Sequence, residues 1–169
     1  MVYSWLRGER MEQVLEQVDR QRIVELARDL ADIVSITGEE KGVAEYLGNE
    51  FEKLGMQVEY QEVEEGRPNV IGTLKGTGGG AALMFCAHMD HFDNPQATMV
   101  EDDRIYGRGL VNMKAAFPCY IEAAAAIQKA GVQLKGDLII SGVVGEIEKA
   151  QIGRFQGKSY RGAGVGARY

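Results

Sequence analysis

The chain has 169 residues and a formal net charge of −6, with 45% hydrophobic and 26% charged residues, a balance typical of a globular domain with a core of its own. The charge argues against a surface that tracks nucleic-acid phosphates, and no apolar run reaches the roughly 18 residues of a transmembrane helix. The N-terminus lacks a signal-peptide stretch, and two cysteines, Cys86 and Cys119, are too few for a disulfide framework. We expect a cytoplasmic protein with buried thiols that binds neither nucleic acid nor membrane.

The first third of the chain is predicted to be helical. Apolar residues recur at three- and four-residue spacing from about residue 11 to residue 34, which indicates an amphipathic helix. Thr37 and Glu40 have the spacing of a capping box and predict the start of a second helix. Its apolar face runs to Leu54, and Gly55 stands where a glycine cap would end it.

Strands are predicted from residue 56 onward, where the apolar period changes to two. The apolar run over residues 81–87 suits a central strand buried on both faces, and a second such run covers residues 138–144. Other segments complete the pattern: a strand over 69–74, a hairpin-like stretch over 101–106 and an alanine-rich helix over 113–130. Apolar strands separated by helices favour a three-layer α/β domain with a mixed sheet.

The two histidines of the chain follow the more apolar of these strands, in the tetrapeptide His88-Met89-Asp90-His91. Ligands of open α/β sheets collect at the carboxyl ends of strands. A carboxylate two residues after a histidine can accept the imidazole N–H and raise the basicity of a metal-binding nitrogen. The alternative is a surface turn with scattered polar residues, and the local chemistry alone leaves both open.

A second polar cluster, Glu146 and Glu148, follows the other apolar strand. A glutamate at a strand end could act as a general base on a water molecule. Acidic residues are also common at helix N-termini, which is the alternative reading. Because both clusters end buried strands, one shared pocket is plausible.

Four stretches together resemble one protein family. Ile36-Thr37-Gly38-Glu39-Glu40 is similar to its "S-x-S-G-E-E" opening, and Arg67-Pro68-Asn69-Val70 to the segment that leads into the next strand. Ala87-His88-Met89-Asp90 resembles its "G-H-x-D" motif, and residues 103–114 resemble "D-G-x-L-Y-G-R-G-x-x-D-M-K-G". The family is that of the co-catalytic zinc metallopeptidases, which includes acetylornithine deacetylase, succinyl-diaminopimelate desuccinylase, aminoacylase and glutamate carboxypeptidase.

The resemblance implies a role for each candidate residue. His88 would bind zinc, Asp90 would orient His88, position 112 would hold a carboxylate that bridges two metals, and Glu146 would be the general base. One or two Zn²⁺ ions are implied, with Co²⁺ or Mn²⁺ as alternatives. The implied substrate is an N-acyl amino acid or a small peptide. The implied fold is a mixed α/β sheet domain with an inserted lid and dimerisation domain, which suits a homodimer of the full-length protein.

The chain departs from the family pattern at two ligand positions. Position 112 is Asn112, a neutral amide that compensates metal charge poorly. The glutamate expected after the general base is replaced by Ile147, and Glu148 follows one residue later. Three readings stay open: a single-metal or weakened dinuclear site that retains Glu146, a remodelled site in which Asn112 and Glu148 both ligate, and an inactive relative.

Residues 1–169 are also shorter than family members. We expect them to be the N-terminal portion of a single metallohydrolase catalytic domain, without the lid domain, a later acidic ligand and a C-terminal histidine ligand. This chain alone is therefore expected to bind zinc weakly or not at all and to show no hydrolase activity. The alternative function is a catalytically inactive binding or scaffold domain on the same fold.

Overall fold

The computed structural model describes the backbone of residues 2–147 and the side chains of residues 8–147. In chain order the elements are α1 (Val2–Leu15), α2 (Arg20–Asp32), α3 (Lys41–Lys53), β1 (Gln57–Glu64), β2 (Arg67–Leu74), β3 (Leu83–His88), β4 (Met99–Glu101), β5 (Arg104–Tyr106), α4 (Ala116–Lys129) and β6 (Leu138–Val143). A wide turn over Leu110–Lys114 leads into α4. Within residues 2–147, no helix combines the length and the apolarity needed to span a bilayer.

The main sheet has four strands in the order β1-β2-β6-β3. The β1–β2 and β2–β6 pairs are antiparallel, whereas β3 and β6 run parallel. This confirms the mixed sheet predicted from the sequence. The stretch over 101–106 forms the hairpin β4–β5, separate from the main sheet, and its turn residues Asp102 and Asp103 have positive φ angles.

The helices that pack directly on the sheet lie on one of its faces. Phe85, Ile140 and Gly72 are direct cross-strand partners, so their side-chain positions point the same way. Phe85 stacks on Tyr120 of α4, and a Cβ at Gly72 would meet the ring of Phe51 of α3. The principal core cluster lies on this face. The third layer predicted from the sequence stays a prediction.

The helix predicted over residues 11–34 is two helices. Asp19 adopts an extended conformation between α1 and α2, and its carboxylate accepts the backbone N–H of Arg22 as an N-cap. The backbone N–H of Asp19 donates to Glu122 of α4. Both helices contact α4, although Met11 and Leu15 in the apolar pattern of α1 are exposed.

The prediction of a strand buried on both faces is wrong for β3. Within the described sheet β3 is an outer strand, and its first residue, Leu83, is 56% exposed. Only its last residues, Ala87 and His88, are buried. The two thiols predicted to be buried, Cys86 on β3 and Cys119 on α4, are likewise exposed. An apolar run specifies a strand but not its place in the sheet.

The capping box at the start of α3 is also a wrong prediction. Glu40 occupies the N-cap position in a helical conformation, without a side-chain capping hydrogen bond. Instead Thr37 donates to Asp90, and Glu40 pairs with Arg67. At the other end, Gly55 has the positive φ of a glycine cap, as predicted.

Candidate functional site

The carboxyl ends of β3 and β6 meet at one edge of the sheet because the two strands are parallel. His88 is the last residue of β3 and pairs with Val143, the last residue of β6. Glu146 follows three residues later, and its Oε2 lies 3.6 Å from Nε2 of His88. The structure thus brings together two of the residues selected from the sequence.

The imidazole of His88 is buried and faces oxygen atoms on both sides. Its Nδ1 lies 3.0 Å from the backbone oxygen of Asp90 and 3.3 Å from that residue's Oδ1. Its Nε2 lies 3.1 Å from Oδ1 of Asn112. Burial disfavours the charged ring, but hydrogen bonds to Asp90 and Asn112 and the charges of Asp90 and Glu146 outweigh it and raise the pKa of His88. The Nε2 position is therefore one that attracts positive charge.

Asp90 is fully buried and connects three parts of the site. Besides His88, its carboxylate accepts the Thr37 hydroxyl at 2.7 Å and the backbone N–H groups of Glu146 at 3.1 Å and Ile147 at 2.8 Å. Burial favours the neutral acid, yet the hydrogen bonds with His88, then with Thr37 and the two backbone N–H groups, lower the pKa of Asp90 to about 2. Asp90 is thus an ionised acceptor that holds His88 and the Glu146 segment together.

Asn112 reaches the site from the wide turn before α4. The turn begins after Gly109, whose φ is +70°, and Lys114 N donates to Gly109 O across it. A Cβ at Gly109 would lie 2.8 Å from Cβ of His91, so this approach favours glycine. Asn112 is extended rather than helical, its peptide bond to Met113 is cis, and its amide oxygen faces His88.

A cavity of about 260 Å³ opens beside these side chains. Its wall includes Cys86, His88, Asn112, Val143 and Glu146. The side chain of Glu146 is 38% exposed, so a molecule in the cavity can reach its carboxylate. The arrangement offers an imidazole, an amide oxygen and an accessible carboxylate to one small volume.

The donor set is incomplete for a metal centre. Catalytic zinc takes three protein ligands, and a bridged pair needs carboxylates to offset the charge. Here the His88 imidazole and the Glu146 carboxylate are the two usual zinc ligands that converge, and the third donor is the neutral amide oxygen of Asn112. Among residues 8–147, no three His, Cys, Asp or Glu side chains form a group placed to hold a metal. The side chains of residues 8–147 that converge here suit one weakly held cation and not a charge-compensated dinuclear centre.

The remaining candidate residues from the sequence do not contribute a described side chain to the cavity wall beside His88. Glu148 lies outside the described residues. Ile147 contributes its backbone N–H to Asp90, and its side chain cannot ligate a metal. His91, the second histidine, accepts the backbone N–H of Ser35 on Nε2 and contacts the Phe92 carbonyl through Nδ1. It therefore supports the loop after β3 instead of entering the cavity wall beside His88.

Sequence reasoning missed the buried polar groups behind the site. Lys114 is fully buried and donates to the backbone oxygen of Ile33 and to the hydroxyl of Ser35. Burial, and then the charge of Arg108, lowers the pKa of Lys114 to about 7. Ser35 in turn donates to the backbone oxygen of Met89. A lysine is ordinarily expected to be exposed, so its type gives no hint of burial. The sequence signal for Lys114 was its place at the end of the motif over residues 103–114.

Comparison with known proteins relates the chain to one family of hydrolases. Residues 84–153 match the family described as peptidase family M20/M25/M40. The chain is 29% identical over 117 residues to the N-formyl-4-amino-5-aminomethyl-2-methylpyrimidine deformylase of Bacillus subtilis, covering 63% of this chain and 28% of that protein. It is 32% identical over 131 residues to the succinyl-diaminopimelate desuccinylase of Gluconobacter oxydans, covering 70% and 34%. The chain thus spans about a third of the length of these curated relatives.

Solved structures show the same fold. A tripeptidase from Staphylococcus aureus superposes with a TM-score of 0.68 at 24% identity, covering 88% of this chain and 41% of that one. The Bacillus subtilis YXEP protein, described as a dinuclear metal binding peptidase from the M20 family, superposes with a TM-score of 0.54 at 19% identity, covering 77% and 36%. At these identities the likeness concerns the fold, and the family match concerns the sequence around the site. The chain belongs to peptidase family M20/M25/M40.

Proposed function

We propose that this chain is the N-terminal portion of the catalytic domain of a metal-dependent, cytoplasmic hydrolase of amide bonds. The observation that carries the proposal is the 3.6 Å approach of the Glu146 carboxylate to the His88 imidazole at the ends of two parallel strands. The substrate class we propose is an N-acyl amino acid or a small peptide, since desuccinylases and tripeptidases are among the relatives.

Each residue has a defined part in this proposal. His88 and Asn112 would hold a cation, and Asp90 would keep the His88 ring oriented through its contacts with Nδ1. A bound divalent metal would polarise the amide carbonyl and lower the pKa of a nearby water molecule. Glu146, which is partly exposed to the cavity, would take the proton from water and pass it to the leaving amine. Glu148 remains proposed as a further ligand.

A second candidate function is a binding domain without catalysis. Asn112 favours it because a neutral amide stands where the family resemblance places the bridging carboxylate. Ile147 favours it as well, because its aliphatic side chain occupies the position of a second carboxylate. The two functions differ in what an added carboxylate at position 112 would do.

The discriminating experiment is an Asn112→Asp substitution followed by isothermal titration with Zn²⁺, Co²⁺ and Mn²⁺. We expect weak binding by the unmodified chain. Because the new carboxylate adds charge at the point that faces His88 Nε2, we expect affinity to rise by at least the roughly 10–100-fold associated with partners of metal ligands. Asn49→Asp on the exposed surface of α3 is the matched control, with the same charge change away from the site.

The outcomes separate the two functions. Tighter binding confined to Asn112→Asp supports a cation site centred on His88, and a large gain favours a degenerate site that the amide has weakened. Loss of an existing activity in Asn112→Asp would favour a working, remodelled centre instead. No change, or an equal change in Asn49→Asp, contradicts the metal site and favours the binding domain. An assay of both proteins on N-acetyl amino acids and dipeptides accompanies the titration. Turnover by the unmodified chain would show that Asn112 belongs to a working, remodelled centre.

A further inference from the structure

The segment that carries Glu146 is held by side chains at four consecutive backbone N–H groups. We call residues 144–147 the Glu146 loop. Val144 N donates to Oδ1 of Asn69 at 3.0 Å, and Gly145 N donates to Oε1 of Glu40 at 3.2 Å. The next two N–H groups, of residues 146 and 147, both donate to Asp90. Three acceptors from three separate parts of the chain therefore fix one short loop.

Glu40 is a carboxylate acceptor whose burial carries a desolvation cost. It is fully buried and receives two hydrogen bonds from Arg67, from Nε at 2.9 Å and from Nη2 at 2.6 Å. Arg67 is 7% exposed and also contacts Glu64 at 2.7 Å. The desolvation of a buried ion pair often cancels its attraction, so such a pair is weak evidence of a contribution to stability. The contact of Glu40 with the Gly145 N–H indicates that this carboxylate holds the Glu146 loop in place.

Asn69 shows the same pattern. Its Oδ1 accepts the N–H of Val144, while its Nδ2 is buried without a hydrogen-bond partner among the described residues. An unpaired buried donor costs stability. An aliphatic residue would avoid that cost, but it would leave the Val144 N–H unpaired. Both Glu40 and Asn69 therefore combine an unfavourable burial with one directed contact to the same loop.

We propose that Glu40 and Asn69 are positioning residues for Glu146, acting through the backbone of its loop. The Glu146 side chain is 38% exposed, so packing around the carboxylate does not fix its position. The backbone of the Glu146 loop has to fix that position instead. Held in this way, the carboxylate stays beside Nε2 of His88. The inference deepens the hydrolase proposal and rests on it for the role of Glu146.

The test compares two substitutions that each remove one carboxylate from Arg67. Glu40→Gln weakens the acceptor of Gly145, whereas Glu64→Gln removes the carboxylate that accepts from Arg67 Nη1 and serves as the matched control. We expect Glu40→Gln to speed the hydrogen exchange of the Gly145 amide about tenfold, because neutral acceptors bind roughly half as strongly as charged ones. The ¹⁵N signals of the His88 ring should shift in the same variant, since the carboxylate beside Nε2 moves.

The results either support or overturn the proposal. Changes at Gly145 and His88 in Glu40→Gln alone support it. Unchanged exchange at Gly145, or equal acceleration by both variants across β6, overturns it, because the ion pair would then act only on overall stability. If Glu40→Gln does not fold, Asn69→Ala decides: faster exchange at Val144 with a shifted His88 signal supports the proposal, and an unchanged loop overturns it. These measurements need neither metal nor substrate. Failure of the positioning proposal can therefore be told apart from failure of the hydrolase proposal, which activity assays test.

Discussion

Asp90 is the residue on which the geometry of the site depends most directly. It contacts the His88 ring, receives the Thr37 hydroxyl and accepts two N–H groups of the Glu146 loop. These contacts are made to the ionised carboxylate, which is why the pKa of Asp90 falls to about 2 despite burial. Protonation would replace an acceptor of several hydrogen bonds by a neutral acid in a buried position.

The stability of the protein should therefore depend on pH through Asp90. Its folded-state pKa lies below the unfolded value of about 3.9, so its contribution is fully present above that value and is lost as pH falls toward 2. We expect Asp90→Asn to lower the free energy of unfolding at pH 7 by on the order of 2 kcal/mol, with a smaller difference from the unmodified protein at pH 2. Urea denaturation between pH 2 and 7 measures this.

Asp93→Asn is the control for the change in net charge, since Asp93 is exposed on the same loop. Its unfolding free energy should follow that of the unmodified protein. Curves for Asp90→Asn and the unmodified protein that stay parallel down to pH 2 would contradict the ionised, hydrogen-bonded state of Asp90.

At the scale of elements, the distance between α3 and the sheet is set by the absence of a side chain. Gly72 in β2 lies under Phe51, one of the largest fully buried side chains, and a Cβ there would lie 2.7 Å from two atoms of the ring. The residues before and after it, Ile71 and Thr73, point to the opposite face. The helix therefore approaches β2 at Gly72 more closely than any side chain at that position would allow.

Gly72→Ala should destabilise the protein by about 1–3 kcal/mol, because the added methyl group overpacks the core against Phe51. Gly8→Ala in α1 is the control, since nothing lies within 4 Å of a Cβ at that position. There alanine should be neutral or stabilise by up to about 1 kcal/mol through helix propensity. Thermal and urea unfolding of the two variants measure the effects, and equal shifts for both would contradict the close approach.

For the whole molecule, the outer position of β3 has a consequence for association. Its open side presents unpaired backbone groups within the described sheet, and Leu83 at its start is 56% exposed. Exposed strand edges with apolar side chains favour edge-to-edge contacts, and lysine on an edge opposes them.

We expect the purified chain to self-associate with rising concentration and Leu83→Lys to reduce this association. Met11→Lys is the control, because Met11 is 62% exposed and belongs to helix α1, not to the sheet. Light scattering across a concentration series measures the effect. An equal reduction by both substitutions would show that added charge, and not the edge of β3, limits association.

The sequence by itself determined which segments form strands and helices and where the reactive residues lie along the chain. A period of two identified β1, a preceding turn β2, a continuous apolar run β6 and an alanine-rich segment α4. The ends of the two apolar runs identified His88 and Glu146. The tertiary structure alone decided the outer position of β3, the break at Asp19 and the partners of Glu40. Such features depend on contacts between residues far apart in the chain: Thr37 and Glu40 have the spacing of a helix cap, yet Asp90 and Arg67, distant in sequence, bind them instead.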